Sequence, residues 1–133
     1  DLNIYEVTRQ GSKVAVLALG DFYDLGEKTV EALSSTLGIE ATLVKPYFAS
    51  GVDQNLLDNL VKDHDVIVTI EDGIIEGGWG QNIASYLGTS SARVLNYGVK
   101  KAFYDRVNIA DLMRESHLDP ELIAVDIKQV LGL

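Results

Sequence analysis

Three carboxylates and four glycines stand between a β-rich run and a helical pattern in residues 70–84, IEDGIIEGGWGQNIA. A glycine-rich turn from strand to helix often cradles a phosphate, because free backbone N–H groups and the positive end of the helix converge there. Two phosphate motifs can be tested residue by residue. The dinucleotide fingerprint GxGxxG needs glycine three times: for the tight turn, for close approach of the pyrophosphate, and for packing of helix on sheet. Gly78 and Gly80 supply two, but Ile83 stands at the third place and would push the helix off the sheet. Gly73 and Gly78 have the P-loop separation, but Trp79 and Gly80 replace its lysine and hydroxyl residue. Glu71, Asp72 and Glu76 would repel a phosphate. The segment reads as a structural loop.

The remaining reactive residues form no complete set. His64 lies in Lys62-Asp63-His64-Asp65 and reads as a surface histidine with acidic neighbours. His117 precedes a helix start and has no metal-ligand spacing to His64 or to a carboxylate pair. Ser34, Ser35, Ser90 and Ser91 lack the GxSxG turn that exposes a nucleophile. Gly20-Asp21 begins like the thiamine-diphosphate signature GDG followed by an Asn-Asn pair. Phe22 breaks the first part, and the chain has no Asn-Asn pair.

Elements at a regular spacing must position these residues. Residues 3–8 alternate and are β-rich, and residues 14–19 form a continuously apolar strand of the kind covered on both faces. A helix is predicted over residues 25–37, with Val30, Leu33 and Leu37 on one stripe and Gly38 as its C-terminal cap. Residues 39–44 form the next strand, and Asp53 caps a helix carrying Leu56, Leu57, Leu60 and Val61. Residues 65–70 are a second buried strand. The glycine stretch leads from it into a helix with Ile83, Ala84 and Leu87 inward, followed by a short strand over residues 93–97. Asn108 and Asp119 each start a helix, the second with Pro120 in its first turn. Strand-helix alternation of this kind means a mainly parallel α/β sheet with helices on both faces, in one domain.

Composition narrows the partners. At 133 residues and a net charge of −9, the chain is long enough for a core and too acidic for nucleic acid or an anionic membrane surface. Between Asp53 and Glu76 there are seven carboxylates and one lysine, which fit solvated faces and helix starts. The absence of cysteine excludes a disulfide frame and suits the cytoplasm. The longest apolar run, residues 14–19, is too short to span a bilayer. The chain begins at Asp1, and its single methionine is Met113, so it is expected to be a piece of a longer protein or a split subunit.

The ordered set VAVLALG (14–20), GIEATLV (38–44), Asp53, HDVIVTIED (64–72) and GGWG (77–80) resembles the C-terminal domain of transketolase-like, thiamine-diphosphate-dependent enzymes. Within that group it is most similar to the 1-deoxy-D-xylulose 5-phosphate synthases, as are Tyr104-Asp105-Arg106-Val107 and HLDPELIA (117–124). The resemblance covers essentially the whole chain. It implies a three-layer α/β/α domain with five strands, the first antiparallel to the rest. It also implies that thiamine diphosphate and Mg²⁺ are held by preceding domains or a partner subunit, in a parent that is a homodimer, and not by this domain. Departures stand at residues 45–53. There Tyr47 replaces the family's arginine, and Ser50-Gly51 replaces its Lys-Pro. The family's tail histidine after Asp-Arg-Phe is missing.

Two functions follow. One is a non-catalytic assembly domain of a synthase-like or transketolase-like ketol transferase. The other is a free-standing α/β module that binds a small ligand or a regulatory partner. Under the first, Glu71, Gly73, Ile74, Ile75, Gly77, Gly78, Trp79 and Gly80 are candidates for contact with a neighbouring domain. The glycines would let the backbone turn and approach closely. Ile74, Ile75 and Trp79 then either fold back onto their own core or form an apolar contact with the rest of the enzyme, which would leave Trp79 partly exposed here.

Overall fold

The structure is a computed structural model that describes residues 4–47, 51–103, 105–106 and 108–133. Among these residues five strands form one sheet: β1 (Tyr5–Arg9), β2 (Lys13–Ala18), β3 (Thr42–Pro46), β4 (His64–Ile74) and β5 (Arg93–Val99). The order is β1-β3-β2-β4-β5, with β1 antiparallel to β3 and every other pairing parallel. Helices α1 (Tyr23–Leu37) and α5 (Pro120–Leu131) cover one face. Helices α2 (Gln54–Leu60) and α3 (Trp79–Tyr86) cover the other, and α4 (Ile109–Glu115) leads into α5. The predicted three-layer architecture with an antiparallel first strand is what the chain adopts.

Period-two alternation divides the core. Val14, Val16 and Ala18 of β2 join Val66, Val68 and Ile70 of β4 beneath Val30, Leu33, Ile123 and Ile127. Ala15, Leu17 and Ile67 face the other way, against Leu57, Leu60, Trp79 and Ile83. Both central strands are therefore apolar on both faces, which is why they read as continuous apolar runs.

Local signals hold at the helix ends. Asp53 Oδ1 accepts the Leu56 N–H at 3.1 Å, Asn108 Oδ1 accepts that of Ala110 at 2.9 Å, and Asp119 Oδ2 accepts that of Leu122 at 3.2 Å. Gly38 closes α1 in the left-handed region at φ 67°. Boundaries shift where backbone groups find other partners. Helix α1 starts at Tyr23, two residues early, after a 3₁₀ turn at Gly20–Phe22. β3 starts only at Thr42, because Ile39 N–H closes onto Leu33 O and Glu40 O accepts from Ser12 N–H. β4 runs four residues beyond the predicted end and β5 two, so Ile74 pairs with Val99. A Cβ on Gly98 would lie 2.9 Å from Gly73 O, so this extension requires glycine there.

His64 is not a surface residue as expected: it is only 3% exposed. Its ring meets Thr42 Oγ1 at 2.7 Å, Leu60 O at 2.9 Å and Asp63 Oδ1 at 2.7 Å, so it ties β3, α2 and β4 together. Phe48, Ala49, Ser50, Tyr104 and Val107 lie outside the described residues. Tyr47, one of the departures, is 53% exposed and donates its hydroxyl to Glu6. No helix of the described residues is long and apolar enough to cross a membrane.

Candidate functional site

The glycine-rich segment joins the end of β4 to α3, and its centre is Glu71. This residue sits on the α3 side of β4, next to Thr69, and is 5% exposed. Its Oε1 accepts the Trp79 N–H at 3.1 Å and its Oε2 accepts the Gly80 N–H at 2.7 Å. The two donors open α3 and have no helical partner of their own. The cradle that a phosphate would occupy is thus filled by the protein's own carboxylate.

Two glycines exist because of that side chain. A Cβ on Gly78 would lie 2.4 Å from Glu71 Oε1. On Gly80 it would lie 2.4 Å from Thr69 Oγ1 and 2.8 Å from Glu71 Oε2. Thr69 Oγ1 in turn donates to Asn96 Oδ1 of β5 at 2.7 Å, so α3 rests on a buried polar layer that crosses two strands. Burial pushes the Glu71 carboxyl above the ordinary glutamate range, while the Gly80 and Trp79 N–H groups act in the opposite direction and nearby Asp72 adds to the rise. Ile83, where the fingerprint wants glycine, is fully buried in the α2/α3 core.

Trp79 takes the first of its two alternatives and folds back onto the domain's own core. It is 4% exposed. Its Nε1–H donates to Tyr5 Oη at 3.0 Å, and the two rings meet edge to face with centroids 6.3 Å apart. The Tyr5 hydroxyl in turn donates a hydrogen bond to Gly51 O, and Asp53 Oδ2 accepts the Tyr5 N–H at 2.9 Å. One polar chain therefore links the edge strand β1, the α2 cap and the α3 start. It leaves Trp79, Gly80 and Glu71 inside the domain.

The other candidates form a rim. Gly73 and Gly77 are exposed, and Gly78, Ile74 and Ile75 are half-buried. Gly77 takes φ 74° with nothing within 4 Å of a Cβ, so its side is open to solvent. Glu76 accepts the Lys101 N–H at 3.0 Å, which holds its carboxyl below the ordinary range and pins the rim to the end of β5. At the crevice where the connections after β2 and β4 leave on opposite faces, the usual ligand position of such sheets, Asp72 stands beside Gly20. Among the described residues, no group of three or more His, Asp or Glu could hold a metal ion.

A second cluster escaped sequence reasoning. Tyr97 of β5 donates to Asp126 Oδ2 of α5 at 2.7 Å, and His117 Nδ1 meets the same oxygen at 2.9 Å. Tyr97 lies 29 positions and His117 nine positions from Asp126, separations that carry no local spacing signal. His117 alone stands out in the sequence, before a helix start and without metal-ligand spacing.

The family described as "Transketolase, C-terminal domain" matches residues 5–123. The 1-deoxy-D-xylulose-5-phosphate synthase of Pseudoalteromonas translucida is 36% identical over 129 residues, covering 96% of this chain and 20% of that protein. The protein of the same name from Vibrio atlanticus is 34% identical over 126 residues, covering 93% and 19%. The chain thus spans about a fifth of the length of the curated relatives it matches. Among solved structures, a chain described as a split gene transketolase, inactive beta4 tetramer, superposes with a TM-score of 0.82 at 23% identity, covering 98% of this chain and 42% of that one. A transketolase mutant from Pichia stipitis gives 0.59 at 16% identity, covering 98% and 18%. At these identities the structures speak to the fold alone.

Proposed function

The chain belongs to the transketolase C-terminal domain family, and from that premise we propose that it is the assembly domain of a thiamine-diphosphate-dependent ketol transferase of the 1-deoxyxylulose-5-phosphate synthase or transketolase type. It performs no chemistry alone. In the parent, thiamine diphosphate supplies the carbanion chemistry, and preceding domains or a partner subunit hold it with Mg²⁺. The parent is a homodimer of the cytoplasm, and this chain is one domain of it or a split subunit.

The observation that carries this reading is the Glu71 carboxylate on the first N–H groups of α3. It occupies the free backbone donors of this glycine-rich helix start, and Asp72 makes the neighbouring crevice acidic. The residues present do not fit the cofactor. What remains at the strand ends is a rim of Gly73, Ile74, Ile75 and Gly77, whose half-buried isoleucines suit an apolar contact with another domain.

One experiment with two arms tests this. Calorimetric titration of the chain with thiamine diphosphate and Mg²⁺ is expected to give no binding heat, and micromolar binding would refute the reading. In the parent, Gly77→Asn keeps a residue tolerated at positive φ but places a side chain on the open rim. Assembly is expected to weaken while the isolated chain keeps its stability. Unchanged assembly would show that the rim is no interface.

A further inference from the structure

The Tyr97–Asp126–His117 cluster lines a cleft of about 280 Å³ between β5, the turn after β4, and the corner where α4 meets α5. Leu95 and Ile75 give it apolar walls, and Asn96, Lys100, Glu115 and Ser116 complete its polar lining. This place is separate from the rim contact proposed above, apart from sharing Ile75.

Two features make the lining incomplete as it stands. Ser116 is 3% exposed, and its hydroxyl is buried without a hydrogen-bond partner among the described residues. Such a group costs stability and is uncommon in native proteins unless something else satisfies it. The second feature is charge. Asp126 is engaged by Tyr97 and His117, and Glu115 Oε2 accepts from Arg106 Nε at 3.0 Å. Lys100 has no carboxylate within 4.0 Å among the described residues; its ammonium lies 5.8 Å from the Phe103 ring centroid. Glu76 feels the charges of Lys100 and Lys101, but its oxygens are taken by the Lys101 N–H. With Nδ1 on Asp126, His117 keeps Nε2 for another partner. The cleft therefore joins matched carboxylates to an unmatched cation and an unmatched hydroxyl.

We propose that this cleft binds a small organic anion bearing a hydroxyl, with the anionic head at Lys100 and His117 Nε2 and the hydroxyl at Ser116 Oγ. Tyr97 Oη, whose proton is committed to Asp126, offers the ligand a further acceptor. Leu95 and Ile75 exclude water from its carbon skeleton. A carboxylate and a phosphate ester satisfy the same groups, and the experiment separates them.

The chain has two histidines, one in the cleft and one buried at the start of β4 against Thr42 and the end of α2, which makes proton NMR of the imidazole C–H signals a two-site reporter. The chain is titrated at constant pH with glycolate, with glycerol 2-phosphate and with glycerol as the neutral control. The His117 signals are expected to shift saturably with one or both anions, while His64 stays fixed and glycerol has no effect. Saturation by glycolate alone identifies a carboxylate ligand, and by glycerol 2-phosphate alone a phosphate ester. Lys100→Gln, a change at an exposed position, should weaken binding about tenfold, the loss of one charge-assisted contact. Ser116→Ala removes only the unpartnered hydroxyl and should weaken it about fivefold without lowering stability. No saturable shift with either anion overturns the proposal. So does a shift that survives both substitutions unchanged.

Discussion

Helices α3 and α5 both begin with a carboxylate on their first N–H groups, but the carboxylate comes from different distances. At α5, Asp119 reaches three residues forward to Leu122 N–H, and Pro120 sits in the first turn. At α3, Gly78 offers no side chain, and Glu71 reaches from β4 to the N–H groups of Trp79 and Gly80. The local cap is partly exposed and adds to a helix that other contacts already hold. The remote cap is buried, so two helix donors, a strand and the adjoining glycines depend on one side chain. Unsatisfied groups cost most where water cannot replace the partner, and the α3 start should therefore be the more fragile of the two.

Substitutions rank accordingly. Trp79→Ala is expected to cost about 3–5 kcal/mol in the isolated chain through the cavity it leaves and the lost Tyr5 contact. Chemical denaturation measures this. A cost near zero would return Trp79 to the interface. Because Trp79 is the only tryptophan, its emission should be blue-shifted and protected from quenchers.

Glu71→Gln keeps the shape but turns an amide N–H₂ toward one backbone donor. Its expected cost near neutral pH is about 1.5–3 kcal/mol, the range for hydrogen bonds to charged groups. The pH dependence carries a sign of its own. Burial raises the folded carboxyl above its unfolded value, so the native state binds the proton more tightly. Its contribution is fully present below the ordinary glutamate range and is lost as pH rises through the folded value. Stability of the parent sequence should rise on mild acidification above pH 4.5, and subtracting the Glu71→Gln curve should isolate that increment. A difference curve that slopes the other way would mean that the two N–H bonds outweigh burial.

The smallest effects belong to the local caps. Asp119→Ala and Asp53→Ala should each cost about 0.5–2 kcal/mol. Asp53 should lie nearer the top of the range, because it also accepts the Tyr5 N–H. Equal costs at Asp119 and Glu71 would erase the distinction between local and remote capping.

The same distinction explains what was legible in the chain. Asp53, Asn108, Asp119 and Gly38 act within a few residues of themselves, and all four helix ends were readable. The central strands declared themselves because apolar faces on both sides leave an unbroken apolar run. Failures fell where the partner is distant. His64 looked like a surface residue beside Asp63 and Asp65, but Thr42 and the end of α2 enclose it. Trp79 in a glycine loop left core and interface both open, because the partner that receives its N–H is Tyr5, 74 residues earlier. The extension of β4 and β5 was hidden because glycine has low strand propensity, while here Gly98 is what lets its strand approach the Gly73 carbonyl.

By itself, then, the sequence determined the order of elements, the alternation of the sheet, the local caps and the family resemblance. It also showed that the glycine turn lacks the residues of a phosphate motif. Only the tertiary structure decided why Gly78 and Gly80 are there: a carboxylate on the adjoining strand satisfies the first backbone donors of α3 and leaves no room for a Cβ at either position. It alone placed Ser116, which has no hydrogen-bond partner among the described residues, next to Tyr97, Asp126 and His117. Capping and periodicity act over one turn or one pleat and leave a pattern in neighbouring residues. Burial and polar pairing between β5 and α5 act through space, and a linear chain records no distance between residues that only folding brings together.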